Sequence, residues 1–172
     1  MNMMNDLQKT KQNNKINLEL SSVNNSSKVI QDCQHCYVTE PACVKEKETN
    51  GYTSVNTKRN YQIRKKMDCD SKFVIYLVQC LNCLGLYVGK SEWAFKVRHS
   101  NHKREVKNNQ GGLGQHFYNS ECNFTDHYNV TLIDSIKIGD KKGLKKKEDF
   151  WINQLRTYKA NGGNCMNIRK EF

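Results

Sequence analysis

This chain of 172 residues has no long apolar run, and it is short of acidic residues. No stretch is long and apolar enough to span a bilayer, so a helical membrane protein is excluded. The segment from Met1 to Leu20 is polar and lacks an apolar core. It does not read as a secretory signal, and the chain is expected inside the cell, where thiols stay reduced. Residues 1–30 contain no aromatic residue and few aliphatics, while Asn2, Asn5, Asn13, Asn14, Asn17, Asn24 and Asn25 crowd them. Such a segment buries too little apolar surface to offset the entropy of ordering, and a disordered polar tail is expected. No internal repeat is visible.

The shortage of acids, 17 Asp+Glu against 28 Lys+Arg, leaves a net charge of +11. An excess of that size points to a polyanionic partner, although a solvated basic surface has the same composition. Eight cysteines in a reducing compartment read as zinc ligands or free thiols before they read as disulfides.

Residues 31–70 read as a cysteine-rich, zinc-finger-like arm bearing Cys33, Cys36, Cys43 and Cys69, with a short strand around Tyr61 and Ile63. Residues 71–172 read as the folded domain. The run from Phe73 to Val78 is apolar and β-branched, as suits a strand buried on both faces. Cys80, Cys83 and Gly85 form a turn before the second run, Leu86 to Gly89, which predicts a hairpin. Ser91 is placed to cap a helix running to about Asn108. A strand follows around Val130 to Asp134. A lysine-rich loop from Lys141 to Lys147 then leads into a helix over about 144–158. The expected fold is α+β, a small mixed or antiparallel sheet flanked by helices.

Three features carry chemistry. Glu148 lies on the apolar stripe formed by Leu144, Trp151, Ile152, Leu155 and Tyr158. A carboxylate facing a core needs a partner, either a divalent cation or a buried Arg or Lys. Arg98 and His102, one helical turn apart, suit phosphate binding and proton transfer, or equally a solvated basic helix. Tyr76 and Tyr87 stand on the paired strands with ten residues between them. Tyrosines in strands usually serve packing, but one beside an arginine or a metal can act as a base.

Four of the cysteines pair as Cys33 with Cys36 and Cys80 with Cys83, enough for one tetrahedral zinc in a structural role. The 43 residues between Cys36 and Cys80 exceed ordinary finger spacing, so two unrelated pairs remain an alternative. His35 and Cys43 are spare candidates beside the first pair. Cys69, one strand length from Cys80, is expected at the opposite end of that strand. Cys122 and Cys165 suggest no partner. The lysines Lys141, Lys142, Lys145, Lys146 and Lys147, extended by Lys103, Arg104 and Lys107, form a candidate phosphate grip, or merely a solvated run.

In combination, Ile75 with Tyr76, then Tyr87-Val88-Gly89, Arg98, Glu148 and Asn164 resemble the GIY-YIG endonuclease pattern over residues 72–166. The chain is most similar to the nuclease domain of Penelope-like retroelements, on Cys69, Val74 to Tyr76, Cys80 with Cys83, Tyr87 to Gly89, Arg98 with His102, and Glu148 with Trp151 and Ile152. Cys33 and Cys36 also look like the cysteine motif found before that domain. Val74 stands where the general signature has its first glycine, and Ser91 where threonine is common.

The resemblance implies hydrolysis of a DNA phosphodiester with Mg²⁺ or Mn²⁺, leaving a 3′-hydroxyl and a 5′-phosphate. Tyr76, helped by His102, would be the general base and Glu148 the only protein ligand of the metal. Arg98 would stabilise the phosphorane, Tyr87 would orient water or phosphate, and Asn164 would hold the site. It further implies a possible reverse transcriptase domain in a parent protein and a nuclear location in a eukaryotic host. The competing readings are a catalytically inactive, zinc-stabilised nucleic-acid-binding module and, on the polar tail alone, a protein-contacting scaffold.

Overall fold

A computed structural model describes residues 51–119, 121–159 and 165–168. The polar tail, Cys33, Cys36 and Asn164 lie outside the described residues. The first described elements form a small hairpin, β1 (Tyr52–Thr53) and β2 (Asn60–Tyr61). Then come β3 (Val74–Cys80) and β4 (Leu86–Ser91), three helices, α1 (Phe95–Lys107), α2 (Gly111–Asn119) and α3 (Phe124–His127), strand β5 (Tyr128–Ser135) and helix α4 (Lys141–Leu155).

The main sheet is antiparallel in the order β4-β3-β5. β3 is central because both its faces are apolar. Val74, Tyr76 and Val78 pack into one core with Phe95, Leu113, Phe117, Tyr128 and Leu132. Ile75 and Leu77 pack into the other with Leu86, Val88, Leu144, Ile152 and Leu155. Helices α1–α3 therefore cover one face and α4 the other, the α+β layout expected. At Ile75/Tyr76 the β5 register shifts: Ile75 faces Asp134 but Tyr76 faces Leu132, and the extra residue, Ile133, turns to the α4 side.

The segment before the main sheet belongs to the same fold. Tyr52, Val55, Tyr61 and Ile63 pack on the α4-side core, and Asn56 Nδ2 donates to the carbonyls of Leu155 and Arg156 at 3.2 and 3.3 Å, capping the end of α4. These contacts join residues ninety or more apart in sequence, which is why no local pattern reveals them.

Two helix starts differ from the sequence reading. Ser91 does not cap α1. It ends β4, and its hydroxyl donates to the Trp93 carbonyl at 2.7 Å. The α1 N-cap is Ala94, without a side-chain cap, and backbone carbonyls serve instead: Phe95 N–H donates to Ser71 O at 3.1 Å and Lys96 N–H to Cys69 O at 2.9 Å. The lysine-rich stretch is not a loop. Asp140 caps α4 by accepting the Gly143 N–H at 2.8 Å, so Lys141 to Lys147 form its first two turns. Among the described residues no helix is long and apolar enough to cross a membrane.

Candidate active site and metal centre

The β3–β4 register sets Tyr76 opposite Gly89 and leaves Tyr87 beside it, with ring centroids 6.3 Å apart. Helix α1 crosses over them. Arg98, His102 and Glu105 follow at i, i+4 and i+7 and so share one face. Arg98 Nε donates to the Tyr76 hydroxyl at 2.9 Å, and the same hydroxyl lies 2.7 Å from His102 Nε2. Glu105 closes the network: Oε1 accepts from Arg98 Nη1 at 2.9 Å, and Oε2 lies 2.8 Å from His102 Nδ1.

The proton positions follow from the charges. His102 is fully buried, and burial holds its pKa below the ordinary value despite the Glu105 hydrogen bond. Burial alone would raise the Glu105 pKa, but His102 and Arg98 more than offset it and keep the carboxylate ionised. An ionised carboxylate only accepts, so the proton of a neutral His102 sits on Nδ1 and Nε2 accepts from the Tyr76 hydroxyl. Tyr76 has no exposed surface, and burial pushes its pKa well above that of a free phenol, with Tyr87 adding to the effect and Arg98 opposing it. The expectation that a neighbouring arginine lets this phenol ionise easily is thus outweighed by desolvation. Arg98 is raised in turn: burial works against its charge, but Tyr76 and Glu105 win.

Glu148 comes from α4 on the other side of β4. Its side chain is 14% exposed, with Lys90 Nζ at 3.4 Å and Lys145 Nζ at 3.3 Å. It lies near enough to Tyr87 to help keep that phenol protonated, after the larger effect of burial. Two ammonium groups thus stand at a half-sheltered carboxylate. A hard cation carrying most of its own water fits such a single-carboxylate site. Lys90 was not among the residues singled out from sequence. Its only signal is its place directly after Gly89.

Asn164 lies outside the described residues, but a buried asparagine three positions on holds β4. Asn167 Oδ1 accepts the Val88 N–H and Nδ2 donates to the Val88 carbonyl, both at 2.8 Å, while the Thr157 hydroxyl donates to Oδ1 at 2.7 Å. Met166 N–H adds a bond to Leu86 O at 3.0 Å. The chain around Asn167 thereby covers the outer edge of β4 on both sides of Tyr87. Tyr128, from β5, is a third buried phenol near Arg98 and Tyr87 that the sequence did not mark.

No protein-family model matches the chain, and no curated protein matches it. Among solved structures, the catalytic domain of the homing endonuclease I-TevI matches with a TM-score of 0.45 and 21% identity, over 56% of this chain and 98% of that one. A mutant of the same catalytic domain, described as that of an intron endonuclease, gives 0.44 and 20%, over 55% and 94%. The likeness is partial, and the site rests on the contacts of its own residues.

A second cluster lies at the far end of β3. The ligand atoms of Cys80, Cys83, His116 and Cys122 all fall within 4.8 Å of one another. Cys83 Sγ is 3.5 Å from His116 Nε2, close to the roughly 3.6 Å that tetrahedral zinc–sulfur and zinc–nitrogen bonds would set. Three thiols and an imidazole are a soft donor set suited to zinc. Burial pushes the Cys80 thiol up to about 12, so this thiol holds a proton that a metal would displace. Burial lowers the His116 pKa and keeps its ring neutral, as a ligand must be. Cys80 and Cys83 were expected as ligands. Cys122, for which the sequence suggests no partner, joins them because α2 and the loop before α3 fold over the hairpin turn. Cys69 is not in the cluster. Cys33 and Cys36 lie outside the described residues.

Of the basic residues marked for phosphate contact, Lys142 and Lys146 are exposed, and Lys141 pairs with Glu92 at 2.8 Å. Lys145 is held by Glu148 and Asp149, and Lys147 by Asp134 at 3.2 Å and by the Phe150 ring. Arg104 bonds Asn101, while Lys103 is half-buried.

Proposed function

We propose that this chain is a metal-dependent DNA endonuclease of the GIY-YIG type, related to the nuclease domain of Penelope-like retroelements. One observation carries the reading: a single phenol, Tyr76, is hydrogen-bonded at once to a guanidinium and to an accepting imidazole, and the neighbouring Tyr87 lies within reach of the charge of Glu148 on α4.

The Tyr76 oxygen takes the proton of the attacking water as its own passes to His102 Nε2. Tyr76 is covered in the free protein, so water reaches it when Arg98, a quarter exposed, turns toward a substrate phosphate. Arg98 then stabilises charge on that phosphate, and Tyr87 orients it. Glu148 would hold Mg²⁺ or Mn²⁺, which would supply positive charge to the phosphate, and Lys90 and Lys145, now paired with its carboxylate, would be free to contact phosphate oxygens. Asn164 is the asparagine that the resemblance assigns to holding the site, and Asn167, among the described residues, supports it by clamping β4 at Val88. Lys142 and Lys146 grip the backbone without reading sequence, and Lys141, Lys145, Lys147, Lys103 and Arg104 add charge around them. A structural zinc at Cys80, Cys83, His116 and Cys122 ties the hairpin turn to α2, and Cys33 with Cys36 remains a further candidate pair. The 3′-hydroxyl left on the DNA suits priming by a reverse transcriptase in a parent protein, and DNA as substrate places the chain in the nucleus of a eukaryotic host.

The second reading, a zinc-stabilised nucleic-acid-binding module without cleavage, draws on the complete burial of Tyr76. Supercoiled plasmid with Mg²⁺ or Mn²⁺ separates the two. Nicking by the wild type, blocked by EDTA and reduced at least about 100-fold in Glu148→Ala, is expected. A wild type that shifts DNA in a gel yet never nicks it, with both metals and several DNA structures, gives the second reading.

A further inference from the structure

Glu105 has no part in the sequence-derived site, yet each of its carboxylate oxygens bonds a different site residue. The two bonds fix different things. Oε2 on Nδ1 decides which ring nitrogen of His102 carries the proton, and Oε1 on Nη1 restrains the guanidinium whose Nε reaches Tyr76. The backbone beneath is held tightly: a Cβ at Gly114 would stand 2.6 Å from the Glu105 carbonyl, so α2 packs directly on the last turns of α1.

We infer that Glu105 is the positioning residue of a Glu–His–Tyr relay, holding His102 in the Nδ1–H form so that Nε2 takes the Tyr76 proton. The catalytic consequence rests on the nuclease reading; the tautomer does not. In the reaction, water gives its proton to the Tyr76 oxygen and its electron pair to phosphorus. The Tyr76 proton moves to Nε2, and the P–O3′ bond breaks. The 3′-oxygen takes a proton from solvent, and His102 later returns one. The imidazolium formed in between is stabilised by Glu105, which stays ionised throughout, as a carboxylate orienting a catalytic histidine does elsewhere.

The test is ¹⁵N NMR of His102 in the full chain, read beside plasmid nicking. The wild type is expected as the Nδ1–H tautomer. Glu105→Gln keeps the shape but offers one acceptor for two donors, and is expected to populate the Nε2–H tautomer. Its kcat should fall roughly 100-fold, with DNA affinity within about twofold of wild type. Glu105→Asp, which keeps the charge but reaches only one partner, should fall between, and serves if the glutamine variant does not fold. An unchanged Nδ1–H tautomer in the variants, or wild-type kcat in Glu105→Gln, overturns the inference. Absence of nicking by the wild type removes the nuclease reading while the tautomer shift still decides what Glu105 does.

Discussion

At the scale of single residues, Gly89 shows how little freedom the site has. A Cβ there would land on the Tyr76 hydroxyl and stand 2.8 Å from the Tyr87 ring, because the register sets Gly89 directly across from Tyr76. Gly89→Ala is expected to displace the phenol from His102, reduce nicking at least about 100-fold, and cost about 1–3 kcal/mol of stability by overpacking. Plasmid cleavage and urea unfolding measure the two effects; a variant that nicks like wild type would show that the phenol is not needed where it sits. Spacing was enough to single out Tyr76, Tyr87, Arg98 and His102, because strand alternation and the helical turn bring them to shared faces. Glu105 obeys the same rule at i+7 and was legible in principle. Asn167 was not, because its partner Val88 lies 79 residues away and several asparagines near the C-terminus look alike.

At the scale of elements, α4 places five lysines in its first two turns and no acid in its first turn. Cations at the positive end of a helix dipole destabilise it, and the arrangement makes sense where a polyanion approaches. The β3–β4 turn poses a different problem. It is a reversal with Leu84 at φ 60°, held by Cys80 N–H to Gly85 O at 2.9 Å and Leu84 N–H to Cys80 O at 2.9 Å. Zinc on Cys80, Cys83, His116 and Cys122 would tie that turn to α2 and to the loop before α3. Elemental analysis is expected to find one zinc per chain fewer in His116→Ala than in wild type, with Tm lower by roughly 5–10 °C. Equal zinc in both proteins would exclude this quartet.

At the scale of the whole molecule, buried titrating groups give stability a slope on the acid side. Burial, and to a lesser degree His102, lowers His99 to about 4 from the ordinary 6.5. The unfolded chain binds this proton first as pH falls, so stability drops from about pH 6.5 and levels off near pH 4. The effect is on the order of 3 kcal/mol. Glu105 and Asp134, whose pKa values are depressed, act in the same direction, because each loses its ionic contacts as pH falls through its folded value. Thermal unfolding between pH 7 and 4 should show Tm decreasing, and His99→Phe, which keeps the stack on Phe124, should flatten the decrease. An identical slope in the variant would place the titration elsewhere.

The sequence by itself determined the α+β class, the central strand, the face of α1 and the stripe of α4, since each is written in a local period of apolar and polar residues. It also determined the basic charge that points to a polyanion. Only the tertiary structure decided that residues 51–63 pack on the α4-side core and that Asn167 clamps β4. It alone decided that Cys122 and His116 complete the thiol cluster, and that Tyr76 is sealed rather than exposed. Each of these depends on contacts between segments far apart in the chain, whose approach is set by packing rather than by any pattern a local stretch can carry.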